Sequence, residues 1–294
     1  MSRNQLRVAP LVAATLCLLL AALVSGAQET EPGNIVRMEL RGGIGPATSD
    51  YLLDGLNYAE TAGAALVLIE MDTPGGLDTA MRDIIKGILA SSVPVVTWVA
   101  PGGSRAASAG TYILYASHVA AMARATNLGA ATPVAIGGGG PPMPGSPRPT
   151  PEKETADDGA ADKEASPSSP PASGGTAMEK KSVNDAVAYI RSLADLRGRN
   201  AEWAESAVRE AASLSAEDAL ELNVIDLVAD TLDELLGAID GRLVKVGDKE
   251  VQLATEGLNV EEFEADWRTK LLATITNPNI AYILLLAGVY GLLL

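Results

Sequence analysis

From Asn34 onward the chain alternates short apolar runs with stretches of helical spacing. Residues 34–40, NIVRMEL, alternate apolar and polar like a half-buried strand, and Leu52, Leu53, Leu56 and Ala59 then recur at helical intervals. Residues 64–71, AALVLIEM, form the continuous apolar run of a strand covered on both faces, and residues 93–100, VPVVTWVA, and 118–123, HVAAMA, repeat that signal. Between them, a DTPGG turn opens a helix with Met81, Ile84, Ile85 and Ile88 on one side, and a PGGSRAASAG turn leads into a shorter one. Strands alternating with helices predict an α/β layered domain with a mainly parallel sheet.

The pattern breaks at residues 137–178, which hold nine of the seventeen prolines and almost no large apolar side chain. Such a segment cannot bury enough surface to order itself and is expected to be a disordered insert. Helical spacing returns in SVNDAVAYIRSLADLRGRN, AEWAESAVREAA and SAEDALELNVIDLVA, the last opening on Ser215 with Asp218 three residues later, a capping-box spacing. A helix from Thr231 and a hairpin around Gly247 follow. Phe263, Trp267, Leu271 and Leu272 then fall at helical spacing, which predicts an amphipathic helix along a membrane surface. The expected division is a domain over 28–240, a connector over 241–274 and an apolar segment over 275–294.

Both ends of the chain are apolar. Arg3 and Arg7 precede an uncharged run closed by Ser25, Gly26 and Ala27, the form of a secretory signal over residues 1–27, with an uncleaved anchor as the competing reading. From Leu271 to Leu294 there is no charge, so a transmembrane helix is expected there, either a tail anchor or the first of further spans. The domain between is thereby expected outside the cytoplasm, at the cell membrane. A net charge of −15, or −17 without Arg3 and Arg7, lacks the basic footprint of a nucleic-acid binder. One cysteine, Cys17 in the leader, and one histidine, His118, leave neither a thiol nucleophile nor a histidine or cysteine metal site. No metal and no cofactor are expected.

Both glycine turns follow buried strands, where open α/β sheets bind ligands and where glycine lets backbone N–H groups approach a substrate oxygen. Ser108 lies where the second turn becomes a helix, a position that serves a nucleophile or an ordinary cap equally well. His118 is ten residues on, about 15 Å along a continuing helix, so a serine–histidine pair is disfavoured and His118 reads as structural. A lysine in a water-poor pocket can serve as base instead. Lys180 and Lys181, where order returns after the insert, are candidates that spacing alone does not separate.

The stretches MDTPGGLDTAMRDIIKGILASSVPVVTWVAPGGSRAASAGTYILYASHVAAMARATNLGAATPV and KSVNDAVAYIRSLADLRGRNAEWAESAVREAASLSAEDALELNVIDLVA closely resemble the long form of the NfeD family, membrane-bound serine proteases of the ClpP/crotonase class encoded beside stomatin-like proteins. The resemblance covers about residues 34–240. It implies a ClpP/crotonase-like layered fold and a Ser-Lys dyad, with the nucleophile of A-A-S-A-G-T-Y on Ser108 and the base on Lys181, Lys180 being one residue out of register. Gly76 and Ala109 fall on the family's oxyanion N–H groups. The implied activity is endoproteolysis of hydrophobic segments in stomatin-like membrane proteins, by a dimer or larger homo-oligomer. Two other functions fit parts of the sequence: a non-catalytic membrane scaffold binding a stomatin-like partner, and an acyl-CoA enzyme of the crotonase class, against which the export signal speaks.

Overall fold

The computed structural model describes residues 33–134 and 177–264, together with 285, 286, 288 and 289. The first half runs β1 (Ile35–Arg41), α1 (Pro46–Ala62), β2 (Leu66–Asp72), α2 (Asp78–Ala90), β3 (Val95–Val99), β4 (Arg105–Ala107), α3 (Ala109–Ala116), β5 (Val119–Met122) and β6 (Asn127–Gly129). The second runs α4 (Ala177–Arg197), α5 (Ala201–Arg209), β7 (Ser213–Ser215), α6 (Ala216–Glu221), β8 (Leu227–Val228), α7 (Leu232–Ile239), β9 (Leu243–Val246), β10 (Lys249–Gln252) and β11 (Val260–Glu262).

Six strands form an all-parallel sheet in the order β11-β1-β2-β3-β5-β8. Its central strands are mainly apolar because both faces are covered, with Glu70 and Thr97 as buried polar exceptions. Val67, Ile69 and Met71 of β2 join Ile84, Ile85 and Ile88 of α2 and Ile190 of α4 in one core. Leu66 and Leu68 of the same strand face the other way, toward Trp98, Leu235, Ile239 and Val244. Each such buried side chain contributes about 1.5–3 kcal/mol, and Trp98 Nε1–H donates to the Ala229 carbonyl at 2.9 Å, so its indole carries no unpaired donor.

Local signals fix the helix ends. Pro46 sits in the first turn of α1, which stops at Gly63 in the left-handed region, φ 67°. The Asn200, Ser215 and Thr231 side chains accept backbone N–H groups at the starts of α5, α6 and α7. The capping box at Ser215 departs from the usual form, since Ser215 Oγ also donates to the Asp218 carboxylate at 2.7 Å.

Three expectations are corrected. Residues 105–107 are not simply part of a glycine turn: they form β4, which pairs with β6 and through it with β7 in a second, three-stranded sheet. The domain does not stop at 240, because the β9–β10 hairpin covers one sheet face and β11 adds a sixth strand beside β1. Phe263 follows directly on β11 and is itself in no helix; it packs on Tyr51 and Tyr58, held by its N–H to the Arg37 carbonyl at 2.9 Å. The expected leader (1–27) and nearly all of the insert (137–178) lie outside the described residues, except that Ala177 and Met178 begin α4. Trp267, Leu271 and Leu272 are also outside them, as is most of 275–294. Among the described residues no helix is long and apolar enough to cross a membrane.

Candidate active site

Two loops meet at the C-terminal ends of the sheet strands, and the small sheet clamps them together. Thr73, just past β2, donates its N–H to the Arg105 carbonyl at 2.8 Å and accepts the Ala107 N–H at 3.1 Å. Its hydroxyl donates to the Gly42 carbonyl at 2.7 Å and accepts the Gly75 N–H at 3.0 Å. The DTPGG turn is thus pinned along β4, the strand that delivers Ser108. Gly75, at φ 106°, passes so close that an added Cβ would stand 2.6 Å from the Ser108 Cβ. A Cβ on Gly76 would lie 2.0 Å from the Ile44 carbonyl oxygen, so both glycines are required by close approach.

Ser108 itself is strained, at φ 53° and ψ −116°. A residue with a Cβ in such a region costs about 1–3 kcal/mol and persists only where its surroundings hold it. The Ser108 N–H donates to the Gly129 carbonyl at 2.9 Å and its carbonyl accepts the Thr111 N–H at 3.0 Å. Thr111 Oγ1 in turn donates to the Ala106 carbonyl at 2.8 Å and accepts the Gly129 N–H at 3.1 Å. Unlike Asn200, Ser215 and Thr231, Ser108 does not spend its hydroxyl on a cap: α3 begins without any side-chain cap hydrogen bond.

That hydroxyl borders a cleft of about 350 Å³. Gly76, Asp78, Met81 and Arg82 form one wall, Ser108, Ala109 and Tyr112 the floor, Ala131, Pro133 and Val134 a second wall, and Ser182, Asp185 and Ala186 of α4 the third. The N–H groups of Gly76 and Ala109 have no acceptor among the described residues. For Ala109 this follows from its place at the start of α3, where the helix leaves its first N–H groups unpaired. Two such donors beside a serine can hold a developing oxyanion.

Charge in the cleft is organised around Arg82. Its Nε binds Asp78 at 2.9 Å, its Nη2 binds Asp185 of α4 at 2.6 Å, and its guanidinium lies 4.4 Å from the centre of the Tyr189 ring. Burial raises the Tyr112 phenol above its ordinary value, leaving it a neutral donor to the Ala131 carbonyl at 3.3 Å. This charged wall was not read from the sequence. The Asp78–Arg82 pair has the i,i+4 spacing that could have revealed it, but Asp185 is 103 residues from Arg82.

Of the four expected site residues, Ser108, Gly76 and Ala109 come together in the cleft. Lys181 does not line it; it is exposed on the second turn of α4, next to Ser182, which does. Lys180 lines a different hollow with Glu179, Val183, Asn184 and Arg209. His118 lies beyond the far end of α3, buried, its Nδ1 accepting the Val95 N–H at 3.1 Å. Burial and the nearby Arg197 and Arg199 push it down to about 3, so it stays neutral at physiological pH. Among the described residues no group of histidine, cysteine or acidic side chains could hold a metal ion.

The chain is similar to known proteins. Residues 38–140 match the NfeD1b N-terminal domain. The chain is 35% identical over 264 residues to the membrane-bound protease PH1510 of Pyrococcus horikoshii, covering 89% of this chain and 53% of that protein. It therefore spans about half the length of the curated relative it matches. Among solved structures, a lysine-to-alanine variant of the 1510-N membrane-bound stomatin-specific protease in complex with a substrate peptide superposes with a TM-score of 0.65. That pair is 32% identical and covers 84% of this chain and 99% of the other. A serine-to-alanine variant of the same protease gives a TM-score of 0.63 at 31% identity, covering 80% and 100%.

Proposed function

The chain belongs to the NfeD family, and from that premise we propose that it is a membrane-anchored serine endopeptidase with Ser108 as nucleophile and Lys181 as base. The observation that carries the reading is the serine's own condition: backbone strain at φ 53°, a hydroxyl withheld from helix capping, and two N–H groups beside it with no acceptor among the described residues. A cap would relax; a nucleophile must be presented. The relatives add a protease known in both serine and lysine variants, the lysine variant solved in complex with a substrate peptide.

In the proposed reaction, neutral Lys181 takes the Ser108 proton as Oγ attacks a peptide carbonyl. The oxyanion is held by the Gly76 and Ala109 N–H groups, each such donor being worth about 2.7–4 kcal/mol in a transition state. The lysine then returns the proton to the leaving amine, and water releases the acyl-enzyme. Lys181 is preferred to Lys180 because it stands four residues before Asp185, which lines the cleft, whereas Lys180 lines the hollow beside Arg209.

The substrate class proposed is an apolar segment of a stomatin-like membrane protein, in line with the stomatin specificity of the solved relative. Met81, Ala131, Pro133 and Val134 give the cleft apolar walls suited to it. The layered fold is read as ClpP/crotonase-like, the domain as extracytoplasmic, and the assembly as a homo-oligomer. The test is cleavage of a peptide copying an apolar C-terminal stomatin segment by wild type, Ser108→Ala and Lys181→Ala. The expected result is turnover by wild type alone, with both variants folded. Binding without turnover by wild type would instead identify a scaffold.

A further inference from the structure

Among the described residues the cleft is lined by one cation, Arg82, and two carboxylates, Asp78 and Asp185, arranged in a way that the proposed dyad alone does not require. Resting on the assignment of Lys181 as base, we propose that Arg82 is a positioning residue for it: by engaging Asp185, Arg82 keeps that carboxylate from pairing with Lys181.

Asp185 lies four residues after Lys181 in α4, about 6 Å along the axis on the same side. A lysine and a carboxylate at that spacing ordinarily attract one another. Here the Asp185 carboxylate binds Arg82 of α2 at 2.6 Å instead. Arg82 is fixed from two other sides, by Asp78 at 2.9 Å and by the Tyr189 ring at 4.4 Å, so little side-chain freedom is lost in holding Asp185. Its planar fork stays charged at any pH where the reaction runs. The consequence is chemical: a lysine base must shed its proton, which a free neighbouring carboxylate opposes and a guanidinium favours.

Of the other charged or titratable groups nearby, Asp83 and Lys86 on α2 pair with each other at 2.9 Å. Tyr112 on α3 donates to Ala131. Arg209 on α5 binds Glu205 at 2.5 Å and the Asn184 amide oxygen at 3.2 Å, and Glu205 also takes Arg191. Glu179 and Lys180 face the separate hollow. Asp185 is thus the carboxylate of the Ser108 cleft that α4 itself supplies, and Arg82 decides its partner.

The experiment is the pH dependence of Ser108 phosphonylation by a fluorophosphonate, using the full chain in detergent. In this step the Ser108 Oγ–P bond forms as fluoride leaves, and the hydroxyl proton passes to the base, so no knowledge of the natural substrate is needed. Arg82→Gln is expected to move the acid limb of the rate profile upward by about 0.5–1 pH unit. Asp185→Asn is expected to move it downward, the double variant to lie near wild type, and Arg82→Lys to retain most of the wild-type limb. High salt should shrink these shifts. A rate lowered equally at every pH in Arg82→Gln with an unmoved limb, or both single variants shifting the same way, would overturn the role of Arg82. Lys181→Ala separates the two ideas: if it reacts like wild type, the base assignment has failed, whereas if it is inert while the Arg82→Gln limb stays put, only the role of Arg82 has failed.

Discussion

Ser108 shows how much one residue's function depends on what its neighbours lack. Gly75 has no Cβ where one would lie 2.6 Å from the serine Cβ and 3.1 Å from its hydroxyl oxygen, and its φ of 106° suits only glycine. Gly75→Ala is therefore expected to push the turn off β4 and lower fluorophosphonate labelling of Ser108 by about 10²-fold, since a misplacement near 1 Å costs that much in reacting geometry. The same variant should cost about 1–3 kcal/mol in a urea melt. Labelling at the wild-type rate by a folded Gly75→Ala protein would show that the turn does not support the serine. Ser108 was legible in the sequence through its motif, but its strain was not, because φ is imposed by the Gly129 and Thr111 hydrogen bonds from 3 to 21 residues downstream. Arg82 escaped for the same reason: half of its role lies in Asp185, which only the folded sheet brings near.

At the level of the element, α3 is held at both ends by different means. Its start carries Ser108; its C-terminal carbonyls are collected by Arg199, whose Nη1 donates to Tyr115 at 2.9 Å and Ser117 at 3.0 Å while Nη2 binds Asp226 at 2.6 Å. Burial pushes the Asp226 carboxyl up, but Arg199, the Ala120 N–H and Arg242 together hold it below its usual range. Arg199→Met is expected to cost about 3–5 kcal/mol, because it leaves a buried carboxylate short of its partner, and Arg199→Met/Asp226→Leu to recover part of that loss. Equal destabilisation in the single and double variants would place the cost in packing alone. His118, beside this cluster, supplies a pH signature. Its folded value is lowered from 6.5 to about 3, so between those limits the unfolded chain binds more protons. Stability should be full above about pH 6.5 and fall as the pH drops toward 3, with a slope approaching 1.4 kcal/mol per pH unit from this group. The slope is read from urea melts across that range as the difference between wild type and His118→Asn; an unchanged slope would place His118 in a solvated site. The helices themselves were legible, since apolar spacing and caps are local. The two arginines that close α3 were not: Arg197, whose Nε donates to the Ala116 carbonyl at 2.8 Å, and Arg199 come from the end of α4 and the loop behind it.

The sheet order explains why a boundary at residue 240 leaves out part of the packed fold. Alternating and apolar runs announced β1, β2, β3 and β5, whose side chains make their own case for burial. The short edge strands β8 and β11 carry only two and three residues, too few for a period, and their evidence is the partner they pair with. In β11 the pairing is Ile35–Val260, Val36–Glu261 and Arg37–Glu262, reinforced by the Arg37–Glu262 ion pair at 2.6 Å. Ahead of it, Val244, Val246 and Leu253 are buried against the face that also holds Trp98 and Leu235. Ending the chain at residue 240 would strip these three side chains, each worth about 1.5–3 kcal/mol, from a domain whose whole net stability is of order 5–15 kcal/mol. It would also uncover β1, leaving a new parallel edge free to pair with other chains. A chain of residues 28–264 is accordingly expected to unfold in one cooperative urea transition and to label at Ser108, while 28–240 should aggregate or melt without cooperativity and fail to label. Equal melts for the two would mean that the hairpin and β11 rest on a domain already complete without them, and that the sequence pattern had drawn the border correctly.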